Sequence, residues 1–272
     1  MLDPYKKPWP YQKVNRSHPL AKGLVSCWVM NEVAGIPKDS AETRASNIIS
    51  FSSVPLWKYG NLGSSLWFDG VDDNLIISDH PSTKFGAGDF SVICWIKIAG
   101  ESADLRWLAN RDNVGSSIGW NLLIWNTDAG ADSGKVRFNI RGDSGDSILT
   151  NAIICTNNWI HYVAVRRSGV LYSYVDSIQQ SATAAATGTV SDAVNSHTIM
   201  SYASLYRLGG FLSYYSLYDR ALTPREVLQH YTNPYQMFEP VFNEVLFGYV
   251  APVAGGLSIP IAYHHYRQLH GN

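Results

Sequence analysis

An antiparallel β-sandwich is the fold class this sequence predicts, and three observations predict it. Short apolar runs rich in β-branched and aromatic side chains recur from Gly23 to Tyr218, which is the composition of strands. Turn formers separate them: Asp69-Gly70, Asp72-Asp73-Asn74, Gly86-Ala87-Gly88-Asp89, residues 127–134 and 141–146, and Arg167-Ser168-Gly169. No helical period fills the gaps, which argues against a parallel sheet built from alternating strands and helices. At 272 residues the chain can bury a sizeable core without help from disulfides or metal.

The elements follow in order. Residues 1–19 carry Pro4, Pro8, Pro10 and Pro19, which favour an extended arm over a helix or a central strand. Such an arm is ordered only when docked, so Tyr5, Trp9 and Tyr11 are expected at an assembly contact. The body, residues 20–233, holds the strand segments GLVSCWVM, SLWFDG, NLIIS, DFSVICWIKI, RWLAN, GWNLLIW, KVRFNI, SILT, WIHYVAV, LYSYVD and YRLGGFLSYYSLY. In SVICWIKI, Val92, Cys94, Ile96 and Ile98 share one face, and Ser91, Ile93, Trp95 and Lys97 the other. In LYSYVDS, Leu171, Ser173 and Val175 oppose Tyr172, Tyr174 and Asp176. Thr223-Pro224-Arg225-Glu226 supplies a cap, a first-turn proline and a capping-box glutamate for one short helix. The helix places Val227, Leu228 and Tyr231 on one face and ends before Asn233-Pro234. Residues 234–272 form a tail expected to dock on a partner or a neighbouring subunit, through Phe238, Phe242 and Tyr249.

Composition excludes several classes. Charged residues are 16% of the chain, the formal net charge is −1 and the charges are interspersed, so a basic face for nucleic acid is absent. Cys27, Cys94 and Cys155 are an odd number set in apolar segments and read as free thiols of a chain made in a reducing cytoplasm. The proline-broken N-terminus reads as neither signal peptide nor membrane span, and the apolar stretch 241–258 is interrupted by Asn243, Glu244, Pro252 and Gly255-Gly256. Membrane insertion is not expected.

The segments GLVSCWVMNE, SLWFDGVDDNLIIS, GDFSVICWIKI, NWIHYVAVRRSGVLYSYVDSI and LYDRALTPREVLQHY, in that order, resemble the concanavalin A-like, laminin-G-like jelly-roll family over about residues 20–233. The resemblance implies two curved antiparallel sheets and a lectin-like scaffold. The flanks, with YTNPYQMF and SIPIAYHHYR, resemble those of tailed-phage proteins, which implies a virion component such as a capsid decoration or tail-associated protein.

Each candidate site competes with a plainer reading. Glycosidases share this fold and need two carboxyls on one strand face. The six glutamates, Glu32, Glu42, Glu101, Glu226, Glu239 and Glu244, form no such pair, so catalysis is not expected. Asp69, Asp72, Asp73 and Asn74 gather hard oxygens that would suit calcium, as in related domains, yet DG-x-DD is also what a tight inter-strand turn looks like. No cofactor is required, and calcium is the one ion with a candidate site. Trp107, Trp120 and Trp125, beside polar stretches containing Asn126, would suit stacking on sugar rings, whereas Trp28, Trp67, Trp95 and Trp159 read as core. Tyr202, Tyr206, Tyr214, Tyr215 and Tyr218 exceed what one buried face uses and suggest a contact surface. Arg141-Gly142-Asp143 reads as a turn, and His264, His265 and His270 as a solvated tail. The expectation is a non-catalytic virion module that self-associates or binds other virion proteins. The alternative is a soluble lectin-like protein for cell-surface glycan, with a hydrolase of the same fold ranked below both.

Overall fold

A computed structural model of the chain describes residues 6–10, 12–41, 49–51, 53–60, 62–98, 106–112, 119–125, 130–141, 147–190, 197–202 and 206–239, without the side chains of Ile49, Trp107, Asp112, Trp125 and Arg141. Tyr5, Tyr11, Asn126, Phe242, Tyr249 and the histidine tail lie outside the described residues.

In chain order the strands are β1 (Leu24–Trp28), β2 (Ile49–Ser50), β3 (Leu56–Gly60), β4 (Gly63–Phe68), β5 (Leu75–Ile77), β6 (Phe90–Lys97), β7 (Arg106–Asp112) and β8 (Gly119–Trp125). They continue as β9 (Lys135–Arg141), β10 (Ser147–Ile153), β11 (Trp159–Arg167), β12 (Val170–Val175), β13 (Ile178–Gln179), β14 (Ala184–Ala185), β15 (His197–Ile199) and β16 (Gly210–Tyr218), before the helix α1 (Pro224–Thr232). Two sheets result. The nine-stranded sheet runs β13-β12-β11-β6-β16-β4-β3, with β1 beside β16 and β14 beside β12. The seven-stranded sheet runs β10-β9-β8-β7-β15-β5-β2. Adjacent strands pair antiparallel throughout the described residues, giving a jelly-roll-like sandwich.

Strand alternation builds two cores rather than one. Val92, Cys94, Ile96 and Ile98 of the β6 segment face between the sheets, beside Phe68, Trp120, Phe138 and Leu212. Ile93 and Trp95 point the other way, into a second core on the outer face of the nine-stranded sheet. Leu171 and Val175 join the first core and Tyr174 the second, so the period-2 reading holds on both strands.

The second core explains where the tyrosine expectation fails. Tyr214 and Tyr218 are fully buried because the outer face is roofed by α1 and by chain on either side of the body, and Tyr215 is fully buried between the sheets. Tyr206 is exposed, and its ring lies 6.4 Å from that of Tyr202. On α1 the Thr223 hydroxyl accepts from Glu226 N–H and the Glu226 carboxylate accepts from Thr223 N–H, as the capping box requires. The buried side chains are Val227 and His230, with Tyr231 stacked on Trp95 at 5.8 Å. Leu228 is 48% exposed, contrary to its expected place on the packed face, since Val227, His230 and Tyr231 at i, i+3 and i+4 already fill the stripe.

The proline-rich arm folds back on its own sandwich. Val14 bridges Phe238, Asn15 N–H donates to Met237 C=O, and Glu239 N–H donates to Lys13 C=O. Phe238, expected at an assembly contact, is therefore buried in its own chain's second core. Trp9 is 65% exposed. The anchor of the arm is Lys7. Along one side β16 pairs with β4 through Leu212 and with β1 from Tyr215, which leaves Ser213 at a gap in the sheet. The Lys7 ammonium fills it, donating to the carbonyls of Val29 (2.6 Å), Met30 (3.1 Å), Ser64 (2.6 Å) and Ser213 (2.7 Å). Buried carbonyls demand donors, and a gap between strands supplies none from the backbone.

Cys27 and Cys94 are buried free thiols and Cys155 is half-buried. No helix of the described residues is long and apolar enough to cross a membrane.

Candidate functional site

The outer face of the seven-stranded sheet carries a row of polar side chains that sequence reasoning missed. Register aligns Asn139 of β9 with Asn121 of β8, Asn121 with Asn110 of β7, and Asn110 with Thr198 of β15. Their neighbours Trp120, Leu122, Phe138 and Ile199 lie in the inter-sheet core, so the row points away from it. Asn121 and Asn110 are nonetheless only 0% and 3% exposed, so Asn139 and Thr198 are the partly open members of the row.

Buried amides must be hydrogen-bonded, and these are. Asn139 Nδ2 donates to Asn121 Oδ1 at 2.5 Å; Asn110 Nδ2 donates to Thr198 Oγ1 at 2.6 Å and to Ser201 C=O at 2.5 Å. Thr198 Oγ1 donates to the same Ser201 carbonyl at 3.0 Å. The inner amides hold the half-buried Asn139 and Thr198 in fixed orientations. Beside this row register sets Arg137 of β9 opposite Leu123 of β8, and Leu123 opposite Trp107. Burial pulls the Arg137 pKa down and Asp132 opposes it. Amides, hydroxyls and a guanidinium arranged on a rigid floor match the donor and acceptor pairs of vicinal hydroxyls.

Asn is depleted in strands, so three Asn residues inside strand-like runs, RWLAN, GWNLLIW and KVRFNI, were the available signal.

The expected tryptophan platform is only partly compatible with this geometry. Trp120 is fully buried between the sheets, its ring 5.0 Å from His197 and edge-on to it, and it has no face to offer a sugar. Its strand neighbour Asn121 takes the outward position instead. Trp107 and Trp125 stand on β7 and β8 opposite Leu123 and Lys135. Arg111 lies in β7 with its side chain wholly buried, paired with Asp79, which also binds Lys84 at 3.0 Å. Burial opposes, yet Lys84 and Arg111 outweigh it and hold the Asp79 carboxyl below its ordinary range.

The Asp69–Asn74 turn adjoins the same floor. Asn74 Nδ2 donates to Ser201 Oγ at 3.1 Å, and the Ser201 carbonyl serves the amide row. Gly70 has a φ of +77°, and a side chain there would come 3.0 Å from Gly209 N, so glycine is required. Asp69 Oδ1 accepts from Val71 N–H at 2.7 Å, and Asp73 Oδ2 accepts from Asp69 N–H at 3.0 Å, which is a turn's bonding. The carboxylate oxygens of Asp69, Asp72 and Asp73 also lie within 4.8 Å of one another. Burial raises the Asp73 pKa, as do the charges of Asp69 and Asp72, while hydrogen bonds from Asp69 N–H and Ser53 oppose the rise.

Two antiparallel sheets closed over a shared core define a jelly-roll sandwich. A family model described as the concanavalin A-like lectin/glucanases superfamily matches residues 69–228, and the chain belongs to that superfamily. No curated protein sequence matches it. Among solved structures, the binding domain of Paraclostridial mosquitocidal protein 1 superposes with a TM-score of 0.64 at 14% identity, over 80% of this chain and 53% of that one. Domain 4 of AbnA, an extracellular arabinanase from Geobacillus stearothermophilus solved with arabinotriose, gives 0.59 at 14% identity, over 76% of this chain and 97% of that one. The receptor-binding domain of botulinum neurotoxin D gives 0.58 at 12%, over 80% and 54%. The chain spans about half the length of these two toxin structures. At such identities the likeness is one of fold.

Proposed function

We propose that this chain is a non-catalytic, lectin-like module that binds glycan on the outer face of its seven-stranded sheet. The observation that carries the reading is the preorganised Asn139–Asn121–Asn110–Thr198 row. Amides and hydroxyls held by one another recognise hydroxyl patterns but perform no acid–base step at neutral pH. Similar folds are found in toxin binding domains and in an arabinanase domain solved with a trisaccharide, which supports binding over hydrolysis. A glycan array read with the full chain should show a defined set of neutral oligosaccharides above background. Asn139→Ala should weaken them at least tenfold, the cost of about one charge-free bidentate contact. An array with no binder, or one indifferent to Asn139, contradicts the proposal.

Calcium at the Asp69, Asp72 and Asp73 carboxylates is a separate proposal, supported by their spacing and by the crowding of like charge around buried Asp73. The ion would take the remaining oxygens it needs from carbonyls or water and would stiffen the turn joined to Ser201. At a calcium concentration about 100-fold above Kd the domain should gain about 2.7 kcal/mol. The thermal midpoint should then rise by several degrees over that in chelator. Asp73→Asn should abolish the difference, and identical midpoints for the parent protein contradict the assignment.

For its setting we propose a virion, as a capsid decoration or tail-associated protein, which the phage-like flanks YTNPYQMF and SIPIAYHHYR support. The exposed Trp9 on the folded arm gives self-association a foothold. Light scattering of the full chain at several concentrations should report a defined oligomer. A monomer at every concentration contradicts this setting and leaves the glycan reading intact.

A further inference from the structure

A second row of side chains crosses the outer face of the nine-stranded sheet, starting at the edge of the core roofed by α1, where Trp159 packs half-buried. Register sets Trp159 of β11 opposite Lys97 of β6, Lys97 opposite Phe211 of β16, Phe211 opposite Trp67 of β4, and Trp67 opposite Leu56 of β3. Alternation fixes the face, because Ile96, Ile160, Leu212, Leu66 and Phe68 all lie between the sheets. The row spans five adjacent strands, about 19 Å at the usual strand spacing.

Trp159, Phe211 and Trp67 are half-buried, and Leu56 is 52% exposed. Trp159 and Phe211 meet edge-on at 6.1 Å. Lys97 Nζ lies 5.7 Å from the Phe211 ring centre and Lys58 Nζ 5.1 Å from that of Trp67. Neither ammonium has a carboxylate within ion-pair distance among the described residues. The row thus combines flat, partly open rings with two cations that have no acidic partner among the described residues.

We propose that this row is a second glycan-contact surface, selective for an acidic polysaccharide whose sugar rings lie on the aromatic side chains and whose carboxylates meet Lys58 and Lys97. The proposal deepens the glycan-binding reading and rests on it, but it assigns a different sheet and a different charge class. An apolar ring half-sunk in a sheet presents its surface to a flat sugar ring. It does not project a wedge that could enter a bilayer, as a membrane-seeking surface must. An anionic chain gains from cations that no acidic side chain neutralises, and that gain fades with salt.

The test measures binding of the full chain to polygalacturonate, to the same polymer fully methyl-esterified, and to phosphatidylserine vesicles. The acid form should bind at least tenfold tighter than the ester, with affinity falling as salt rises. Lys97→Gln combined with Lys58→Gln should remove that advantage, and Phe211→Ala should weaken both polymers while leaving neutral glycans on the other sheet unaffected. The double lysine variant changes only side-chain ends, so it remains informative if Phe211→Ala fails to fold. Equal binding of acid and ester overturns the charge assignment, and vesicle binding without polymer binding makes the surface a membrane site and overturns it too. Neutral oligosaccharides on the array with no polyuronate binding removes this surface alone, whereas silence from every saccharide removes the glycan reading with it.

Discussion

Replacing Lys7 by methionine is expected to lower the unfolding midpoint by roughly 10 °C. Methionine matches the length and the apolar stem, so packing changes little, but the carbonyls of Val29, Ser64 and Ser213 lose the ammonium, while that of Met30 keeps the Ser64 hydroxyl at 2.6 Å. An orphaned buried polar group costs about 1–3 kcal/mol. Breaking a buried, charge-assisted set costs about 3–5 kcal/mol even after partial relaxation. For a domain of this size each kcal/mol is worth about 2–4 °C. The same variant should free the arm, so protease cleavage near Gln12 should accelerate at temperatures well below the midpoint. A midpoint within about 2 °C of the parent would show that water replaces the ammonium without loss and that the arm is not the plug of the β1–β4 gap.

Acid is expected to destabilise the protein steeply, and three buried histidines are the reason. His161, His197 and His230 are all fully buried. Desolvation pushes each pKa down, with Arg111 adding to the effect on His197 and His230 to that on His161. His230 falls to about 3, burial outweighing the attraction of Glu226, while Arg220 and His18 reinforce the drop. Their surroundings explain the values. His230 Nε2 bonds the Tyr218 hydroxyl at 2.9 Å and His197 Nε2 that of Tyr215 at 2.8 Å. His161 packs tilted against both Trp95 and Tyr231 with neither ring nitrogen bonded.

A histidine whose folded pKa is depressed contributes its full stability above about pH 6.5, its unfolded value. That contribution is lost as pH falls toward the folded value, because only the unfolded chain takes up the proton. Each histidine contributes about 1.4 kcal/mol per pH unit across that window. Glu226 and Asp79, held below the ordinary carboxylate range, add to the loss at still lower pH. His161→Leu should remove one histidine's share of the slope between pH 6 and 4. It should also raise stability at pH 7 by about 1–3 kcal/mol, since it deletes a buried N–H with no partner. Denaturant midpoints across that range check both statements, and curves that run parallel for parent and variant would contradict them.

The sheets were legible in the sequence wherever one side chain in two decides burial. SVICWIKI sorted its residues correctly because both of its faces pack, one on each core. The helix was legible because Thr223, Pro224 and Glu226 are local signals that act through the first turn alone. The second core was not legible, since it depends on the arm and α1 returning to the same face across some two hundred residues of chain. That return is what buried Tyr214, Tyr218 and Phe238, which were read as contact surface, whereas Tyr215 faces the core between the sheets. Trp120 was read as a platform from its polar neighbours, but alternation along GWNLLIW sets it with Leu122 and Ile124 on the core face. Trp67 was assigned to the core by type, although it is half-buried on the outer face, while Trp159 packs half-buried against the edge of the second core. The amide row was hidden for a different reason: its members lie on separate strands, and only register brings them together.

The measurement that tests the central claim most directly is hydroxyl-radical footprinting of the full chain with and without the strongest neutral binder from the array. The lectin reading predicts protection of β7, β8 and β9, centred on Asn139 and Arg137, with the nine-stranded sheet unchanged. Protection confined to other strands, or a footprint that bound saccharide leaves unaltered, would contradict it.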